Sequence, residues 1–282
     1  TLIADAPGLG KTIQVLGLVN FDATLNSALI VCPASLKLNW KREAEKWLVR
    51  PLTVGIATSS HVPATDIVIC NYDILSRLKV ELSARQWDLL IADESHMVKS
   101  ASAQRSKALY SLKARKKVFL TGTPILNRPI ELFPQLHYLD PDHWGSAFKF
   151  ARQYCNAHQS QWGWDFSGAS HLDELNDKLQ SVMIRRLKKD VLKELPPKVR
   201  QIVPITPNGA EGLIKEQWAA WETQRAGGED YDAQVEELDG SAGAALGEMA
   251  RLRLALGIAK VPAVIEVVKN GMEAGKIVVF CH

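Results

Sequence analysis

Cysteine is scarce in this sequence, and long hydrophobic runs are missing from it. The four cysteines among 282 residues show no short paired spacing, which argues against a disulfide framework and against a zinc site. They are Cys32, Cys70, Cys155 and Cys281. No apolar run approaches the ~20 residues of a membrane-spanning helix, and the first residues do not resemble a signal peptide. We therefore expect reduced thiols, no membrane contact, and an intracellular location in the cytoplasm, nucleoid or nucleus.

A strong charge of either sign is also lacking. The net charge is +3 and the isoelectric point is about 8.6, too mild to establish a nucleic-acid partner from composition. Any basic binding surface must therefore be local. Hydrophobic residues make up 46% of the chain, which is enough to bury one large core or two smaller ones.

The stretch from Asp5 to Thr12 has the pattern of a phosphate-binding loop. A loop that ends in Gly-Lys-Thr presents backbone N–H groups to phosphate oxygens, its lysine reaches the β and γ phosphates, and its threonine hydroxyl binds a metal. Apolar residues on both sides supply the strand-loop-helix context, although Asp5 replaces the usual first glycine. The candidate phosphate-binding residues are Gly8, Leu9, Gly10, Lys11 and Thr12.

A second stretch, from Leu89 to His96, places two carboxylates directly after an apolar run. Ligands of open parallel sheets bind at the carboxyl ends of such strands. We expect Asp93 to hold Mg²⁺ together with Thr12, and Glu94 to polarise the water that attacks the γ-phosphate. An isolated Asp-Glu pair could instead cap the next helix, but the phosphate loop upstream disfavours that alternative. Glu94 and Lys11 are therefore the candidate catalytic residues.

Short apolar runs alternate with helical patterns through the first half of the chain. The runs cover residues 28–31, 52–56, 67–70, 89–92 and 118–120. Strands that alternate with helices predict an α/β fold with a mainly parallel sheet flanked by helices.

The character changes after Pro141, where aromatic residues and helical spacing predict an insertion over about 141–181. Its aromatic side chains could stack on nucleic-acid bases. A small satellite core is the favoured interpretation, because no basic groove accompanies them and aromatic residues are usually buried.

A dense basic stretch follows at 183–198 and includes Arg185, Arg186, Lys188 and Lys189. Two prolines at its end stop the helix and suggest a linker. The charges fit a solvated face, and equally a phosphate contact or an interdomain hinge.

The remaining sequence predicts a linker and a second domain that is cut off. Residues 227–243 are acidic and contain glycine, which predicts a mobile segment. Helical spacing then returns, and Ile277–Phe280 predicts a new buried strand. We expect one domain over residues 1–200, and a linker, a helical segment and the truncated start of a second domain over 201–282.

Seven ordered segments carry a family resemblance. In the terms used for helicases they look like motif I at 5–14, motif Ia at 31–36 with Trp40, a DNA-facing loop at 71–73, a DEAH box at 93–96, motif III at 121–127, the block that closes the first lobe at 183–198, and the start of motif IV at 276–282. In this order they resemble the Swi/Snf-type DNA translocases, relatives of the superfamily 2 helicases. Residues 154–156 and 162–168 look most like the annealing-helicase, or fork-remodelling, branch. Departures are Ala6-Pro7, Ser95 and Ser100, where Glu-Met, Ala and Asn are frequent.

The resemblance implies two RecA-like lobes, with residues 1–200 as the first lobe and the start of the second lobe in 201–282. It implies an ATP hydrolase that uses ATP and Mg²⁺ and moves on double-stranded or forked DNA, in DNA remodelling or repair. His96, Thr121 and Thr123 would couple the phosphate state to the DNA side, although the threonines could simply form a hydroxyl-rich turn.

DNA contacts are implied at Ser35, Asn71 and Asn127, chiefly to phosphates, because movement along any sequence needs backbone contacts. Each of these residues could instead cap a helix. Protein partners are not indicated by the sequence.

Two rival functions remain open at this stage, an RNA or single-strand helicase and a nucleotide-dependent DNA-binding scaffold without turnover. We also expect adenine contacts upstream and an arginine finger downstream, both outside the chain. An arginine finger contributes ~10³ to 10⁵ in rate in some phosphate-loop enzymes. Residues 1–282 alone are therefore expected to hydrolyse ATP poorly.

Overall fold

The computed structural model describes residues 1–125, 128–161, 163–196, 241–272 and 276–280, with positions 200, 202, 212, 215, 216, 218 and 219. The chain divides into two compact units, Thr1–Pro196 and Pro197–His282. Nine strands are described, all in the first unit: Leu2–Ile3 (β1), Ala28–Cys32 (β2), Val54–Ile56 (β3), Ile67–Asn71 (β4), Trp87–Ala92 (β5), Ala114–Leu120 (β6), His158–Ser160 (β7), Gly163–Asp165 (β8) and Met183–Ile184 (β9).

Seven of these strands form one sheet in the order β3-β4-β2-β5-β6-β1-β9. Every pairing in that sheet is parallel, while β7 and β8 form a separate antiparallel hairpin. The predicted α/β class with a parallel sheet is confirmed. Because all seven strands run in one direction, their carboxyl ends lie along the same edge.

The described helices are Lys11–Phe21 (α1), Lys37–Trp47 (α2), Tyr72–Leu75 (α3), Lys79–Ser83 (α4), Gln104–Ser111 (α5), Phe133–Leu139 (α6), Ala147–Tyr154 (α7), Leu172–Leu179 (α8), Lys188–Val191 (α9) and Ser241–Gly271 (α10). Helices α1 and α2 cover one face of the sheet, and α3 to α8 cover the other. Within the described residues, no helix is long and apolar enough to cross a membrane.

The central strands are apolar on both faces because both faces are covered. All five residues of β2 are buried, with Leu29 and Val31 in the core under α3 to α8 and Ile30 in the core under α1 and α2. The pairings Leu29↔Leu90 and Ile30↔Ile91 continue this alternation into β5. A side chain in either strand thus packs between the sheet and a helical layer.

The predicted insertion consists of α7, the β7-β8 hairpin and α8 rather than helices alone. Trp144, Phe150 and Tyr154 are buried, and they belong to the same core as the sheet residues and not to a satellite core. Phe150 lies 5.5 Å from Phe133 of α6, between ring centroids. These buried aromatic rings are part of the protein core and are not available for base stacking.

The basic stretch begins as the strand β9 at Met183–Ile184, and the predicted helix is limited to the short α9 at Lys188–Val191. Leu2 donates its N–H to the carbonyl of Val182 (2.8 Å), and Ala4 donates to Ile184 (2.7 Å). These bonds place Met183 and Ile184 beside β1 at the edge of the sheet. Pairing with the first strand therefore outweighs the helical pattern of the local sequence.

The second unit contains α10 and a stretch with no regular secondary structure at 276–280. The prediction of a buried strand at Ile277–Phe280 is wrong for this structure: Phe280 is 92% exposed, and no strand in the described part of the chain pairs with the segment. Within the described residues, this apolar run has no strand ladder to join. The acidic positions 227–240, together with Pro197, Lys198 and Cys281, lie outside the described residues.

The three cysteines in the described residues are free and buried. Cys32 is the last residue of β2, and Cys70 lies in β4. Burial raises the pKa of each of these two thiols to about 12. Such thiols stay protonated at neutral pH, and the free cysteines of the described residues agree with the predicted reduced thiols.

Truncation of the central strand should destabilise the first unit. Leu90 is fully buried, and we expect Leu90→Ala to lower the free energy of unfolding by about 2–5 kcal/mol, because a cavity opens where the side chain packed. The measurement is urea denaturation followed by circular dichroism. Leu38→Ala is the matched control: Leu38 is 63% exposed, and its loss should cost at most about 0.5 kcal/mol. Equal losses would contradict the assigned core.

Candidate active site

The phosphate loop, residues 5–12, leaves the carboxyl end of β1 and enters α1. Gly8 and Gly10 have φ values of +85° and +75°, which glycine adopts without steric cost. Gly10 is the residue immediately before α1, so the N–H groups of the first helical turn begin here and have no partner within the helix. The loop and the helix start thus have the local geometry of an anion-binding site.

Lys11 and Thr12 lie in the first turn of α1, where the sequence predicted them. The ammonium of Lys11 donates a hydrogen bond to the carbonyl of Asp5 (2.9 Å). Both side chains are half-buried. Lys11 therefore lies folded over its own loop, within reach of the same anion-binding surface.

Asp5, the departure at the first loop position, is fully buried and paired with Arg186. Arg186 donates from Nη2 to Asp5 Oδ2 (2.6 Å) and from Nε to Oδ1 (3.1 Å), and its backbone N–H also bonds Oδ1 (2.9 Å). Gln14 donates to Oδ2 (3.0 Å) and accepts from Arg186 Nη2 (2.8 Å). Burial alone would raise the pKa of Asp5, but these donors lower it below its usual value. The aspartate thus fixes one side of the loop.

Asp93 ends up beside the loop, at the carboxyl end of β5. Its Oδ2 accepts a hydrogen bond from Trp40 Nε1 (2.8 Å), and its Oδ1 accepts from the N–H of Glu94 (2.9 Å). Burial raises the pKa of this carboxyl, while the hydrogen bonds and the charges of Lys11 and His96 act in the opposite direction. Asp93 is therefore a buried carboxylate whose desolvation is only partly compensated, which a bound cation would relieve.

Glu94 adopts a left-handed backbone conformation, with φ 48° and ψ 50°. This region is unusual for a residue other than glycine and is typical of functional turns. The turn directs the Glu94 carboxylate to His96, with Oε2 and Nδ1 separated by 3.2 Å. The same ring nitrogen lies 3.5 Å from Thr121 Oγ1. Glu94, His96 and Thr121 therefore form a continuous polar path.

The 121–123 turn follows β6 and packs against the phosphate loop. Thr121 is buried, and its hydroxyl accepts the N–H of Thr123 (3.1 Å). A Cβ atom added at Gly122 would lie 2.9 Å from Pro7 Cγ and 3.9 Å from Lys11 Nζ. Position 122 must therefore be glycine for this close approach.

Several partners of the site were not predicted from the sequence. Trp40 was named only as part of a family motif, yet its indole N–H donates to Asp93. The hydroxyl of Tyr72 donates to the Asp93 carbonyl (2.7 Å). Ser95, a departure from the DEAH pattern, is buried and bonds Gln135 Oε1 (2.7 Å) in α6. The residues of each pair are far apart in the sequence, so no local spacing identifies them. The sequence contained an indication only for Ser95, which stands where the family pattern has Ala.

The candidate DNA contacts have different environments. Ser35 is exposed in a short turn after β2. Asn71 is 5% exposed at the end of β4 and donates from Nδ2 to Asp73 (3.0 Å). This burial leaves little of the Asn71 side chain accessible to DNA. Asn127 lies outside the described residues.

Comparisons with known proteins point to one family. A family model described as the SNF2-related domain matches residues 1–227. The chain is 35% identical over 300 residues to the Bos taurus protein named DNA annealing helicase and endonuclease ZRANB3, covering 100% of this chain and 27% of that protein. For the Mus musculus protein of the same name the identity is 39% over 238 residues, covering 78% and 22%.

A second group of relatives has a different name. The chain is 33% identical over 290 residues to the Xenopus tropicalis SWI/SNF-related matrix-associated actin-dependent regulator of chromatin subfamily A-like protein 1, covering 100% of this chain and 30% of that protein. The chain thus spans less than a third of the length of these relatives. The predicted similarity to the annealing-helicase branch is confirmed.

A solved structure shares the fold. The Sulfolobus solfataricus SWI2/SNF2 ATPase core in complex with dsDNA matches with a TM-score of 0.57 and 22% identity, covering 97% of this chain and 60% of that chain. This match confirms the predicted RecA-like fold class. With a family model that covers residues 1–227, relatives above 30% identity over the whole chain, and this shared fold, the chain belongs to the SNF2-related domain family.

Proposed function

We propose that the protein hydrolyses ATP with Mg²⁺ and uses the energy to move along duplex DNA. The observation that carries the proposal is the convergence of the phosphate loop, the Asp93-Glu94 pair and the 121–123 turn at one edge of the sheet. Membership of the SNF2-related family implies nucleotide use. The names of the relatives, annealing helicases and an ATPase core bound to dsDNA, support DNA as the track.

The nucleotide phosphates would lie on the N–H groups of Gly8 to Thr12. Lys11, which bonds the Asp5 carbonyl here, would turn its ammonium to the β and γ phosphates. The residues fit Mg²⁺: Thr12 offers a hydroxyl, and the buried Asp93 carboxylate has an uncompensated desolvation cost. Bound there, Mg²⁺ would neutralise charge on the phosphate oxygens.

Glu94 is suited to orient the attacking water and accept its proton. Its side chain is 38% exposed and so can contact solvent in the site, while His96 lies 3.2 Å from one carboxylate oxygen. A carboxylate in hydrogen-bonding reach of the water is what general-base catalysis requires. Asp93, held by Trp40 and the Glu94 N–H, is too enclosed for that role and serves the metal.

Three residues would transmit the phosphate state of the nucleotide to the DNA side of the protein. They are His96, Thr121 and Thr123. The hydroxyl of Thr121 is shared between the His96 ring and the N–H of Thr123, so a shift of Glu94 would change both contacts. Ser35, Asn71 and Asn127 remain proposed DNA-phosphate contacts. We further propose that residues 1–200 act as the first RecA-like lobe, that the second lobe starts within 201–282, and that the protein works inside the cell.

Substitution of either catalytic side chain should strongly lower turnover in the full-length protein. We expect Lys11→Ala to weaken ATP binding and Glu94→Gln to retain binding while hydrolysis falls by about 10²-fold or more, as for loss of a general base. Phosphate release with and without duplex DNA is the measurement. Glu45→Gln is the control, because Glu45 is exposed on α2 and its ion pair is with Lys41 of the same helix.

The same assay separates duplex DNA translocation from its rivals. Stronger stimulation by duplex or forked DNA than by single strands supports the proposal. Stronger stimulation by single-stranded RNA would indicate a helicase of another kind, and ATP and DNA binding without phosphate release would indicate a scaffold. Undiminished turnover in Glu94→Gln would remove Glu94 from catalysis.

Thr121→Val should uncouple DNA from hydrolysis. Valine keeps the shape of the buried side chain but loses the hydroxyl contacts to His96 and Thr123. We expect DNA stimulation of hydrolysis to fall about tenfold, the equivalent of one hydrogen bond of ~1.4 kcal/mol, with ATP affinity changed less than about twofold. Thr24→Val is the control, since Thr24 also donates a hydroxyl bond (2.6 Å to Asp22) but precedes β2, at the opposite edge. Equal effects of the two variants would argue against a relay through Thr121.

A further inference from the structure

The basic stretch that the sequence left between three interpretations lies against the phosphate loop. Arg186 pairs with Asp5 through its side chain and its backbone N–H. Its carbonyl in turn accepts the N–H of Ala6 (2.9 Å). The backbone N–H and the backbone carbonyl of Arg186 are therefore both hydrogen-bonded to the loop. These bonds hold the residues that follow Arg186 close to the loop.

Lys188 extends from this anchored segment to Gly8. A Cβ atom added at Gly8 would lie 3.3 Å from Lys188 Cε and 3.4 Å from its Nζ. The ammonium thus lies directly over the loop residue where phosphates approach closely. In the part of the chain that the structure describes, Lys188 has no ion-pair or hydrogen-bond partner for this charge.

We propose that Lys188 is a second lysine ligand of the bound nucleotide, contacting its phosphates from the side of the loop opposite Gly122, and that Arg186 is the positioning residue that holds it there. The inference rests on the proposed function, because it assigns a further ligand to the same ATP site. It accounts for an unpaired cation placed against an anion-binding loop.

Neither a solvated basic face nor an interdomain hinge explains the position of Lys188 as well as a phosphate ligand does. Lys188 is exposed, but a solvated basic face alone gives no reason for its ammonium to lie 3.4 Å from the Cβ position of Gly8. A hinge needs few fixed contacts, whereas Arg186 makes five hydrogen bonds with Asp5 and Gln14. A ligand of polyphosphate needs both the anchoring and the free charge.

The test is the affinity of the full-length protein for ATPγS and adenosine, measured by calorimetry with Mg²⁺. We expect Lys188→Ala to raise the Kd for ATPγS about tenfold, the loss of one charge-assisted contact, with adenosine binding unchanged and Lys188→Arg close to the unchanged protein. Lys189→Ala is the matched control, since it removes the neighbouring exposed lysine and should change the Kd less than about twofold. Circular dichroism confirms that each variant is folded.

Each outcome decides between the proposals. If Lys188→Ala and Lys189→Ala have the same Kd for ATPγS, Lys188 is not a ligand of the nucleotide. That result would leave the proposed ATP site itself unaffected. A loss of duplex DNA affinity with unchanged ATPγS affinity would also overturn it and assign Lys188 to DNA. No saturable ATPγS binding by the unchanged protein would overturn both this inference and the proposed function.

Arg186 has a separate readout as a positioning residue. In an Arg186→Lys background the side chain no longer spans both oxygens of Asp5, so Lys188 is held less firmly. Lys188→Ala should then raise the Kd for ATPγS less than it does in the unchanged protein, which is a non-additive double-mutant cycle. Additive effects would show that Arg186 supports the fold without positioning Lys188.

Discussion

Parallel hydrogen bonding is the constraint on which the site depends. The strands β5, β6, β1 and β9 are direct neighbours in the sheet, and each is followed by a segment that reaches the phosphate loop or belongs to it. All four strands run in the same direction, so the segments that follow them emerge at one edge. These segments are residues 93–96, the 121–123 turn, the phosphate loop and residues 186–188. An antiparallel neighbour would send its following segment to the opposite edge. The site is thus a consequence of strand direction and order.

The two buried aspartates of the site have opposite electrostatic situations. Asp5 is paired with the guanidinium of Arg186, and its pKa is lowered; its charge is already compensated, so it acts on loop shape. Asp93 has only neutral N–H donors in direct contact, and burial raises its pKa. A buried carboxylate whose desolvation is not compensated is stabilised most by a bound cation. Asp5 is therefore a structural carboxylate and Asp93 is available to a metal, although both are acidic residues at strand ends.

The sequence predicted those parts of the molecule that local pattern controls. The runs predicted at 28–31, 67–70 and 89–92 lie within β2, β4 and β5, with bounds that differ by one or two residues. The phosphate loop and the Asp93-Glu94 pair were identified from their residue types. Contacts across long separations were not: β9 is two residues long, and its partner β1 lies 181 positions away. The bonds from Trp40 to Asp93 and from Ser95 to Gln135 likewise depend on tertiary placement. Ile277–Phe280 shows the converse, since β-forming residues need a neighbouring strand.

The contacts that leave the site are polar and directional, which limits how its parts can move. Thr121 connects to Glu94 through one ring nitrogen of His96, and Ser95, on the same turn, bonds Gln135 in α6. On the other side, Arg186 binds Asp5 shortly before Pro196, where the first unit ends. Apolar contacts at these places would tolerate sliding, because dispersion has little angular preference. Hydrogen bonds weaken steeply when misaligned, so a change in the loop must either carry these neighbours with it or break a bond.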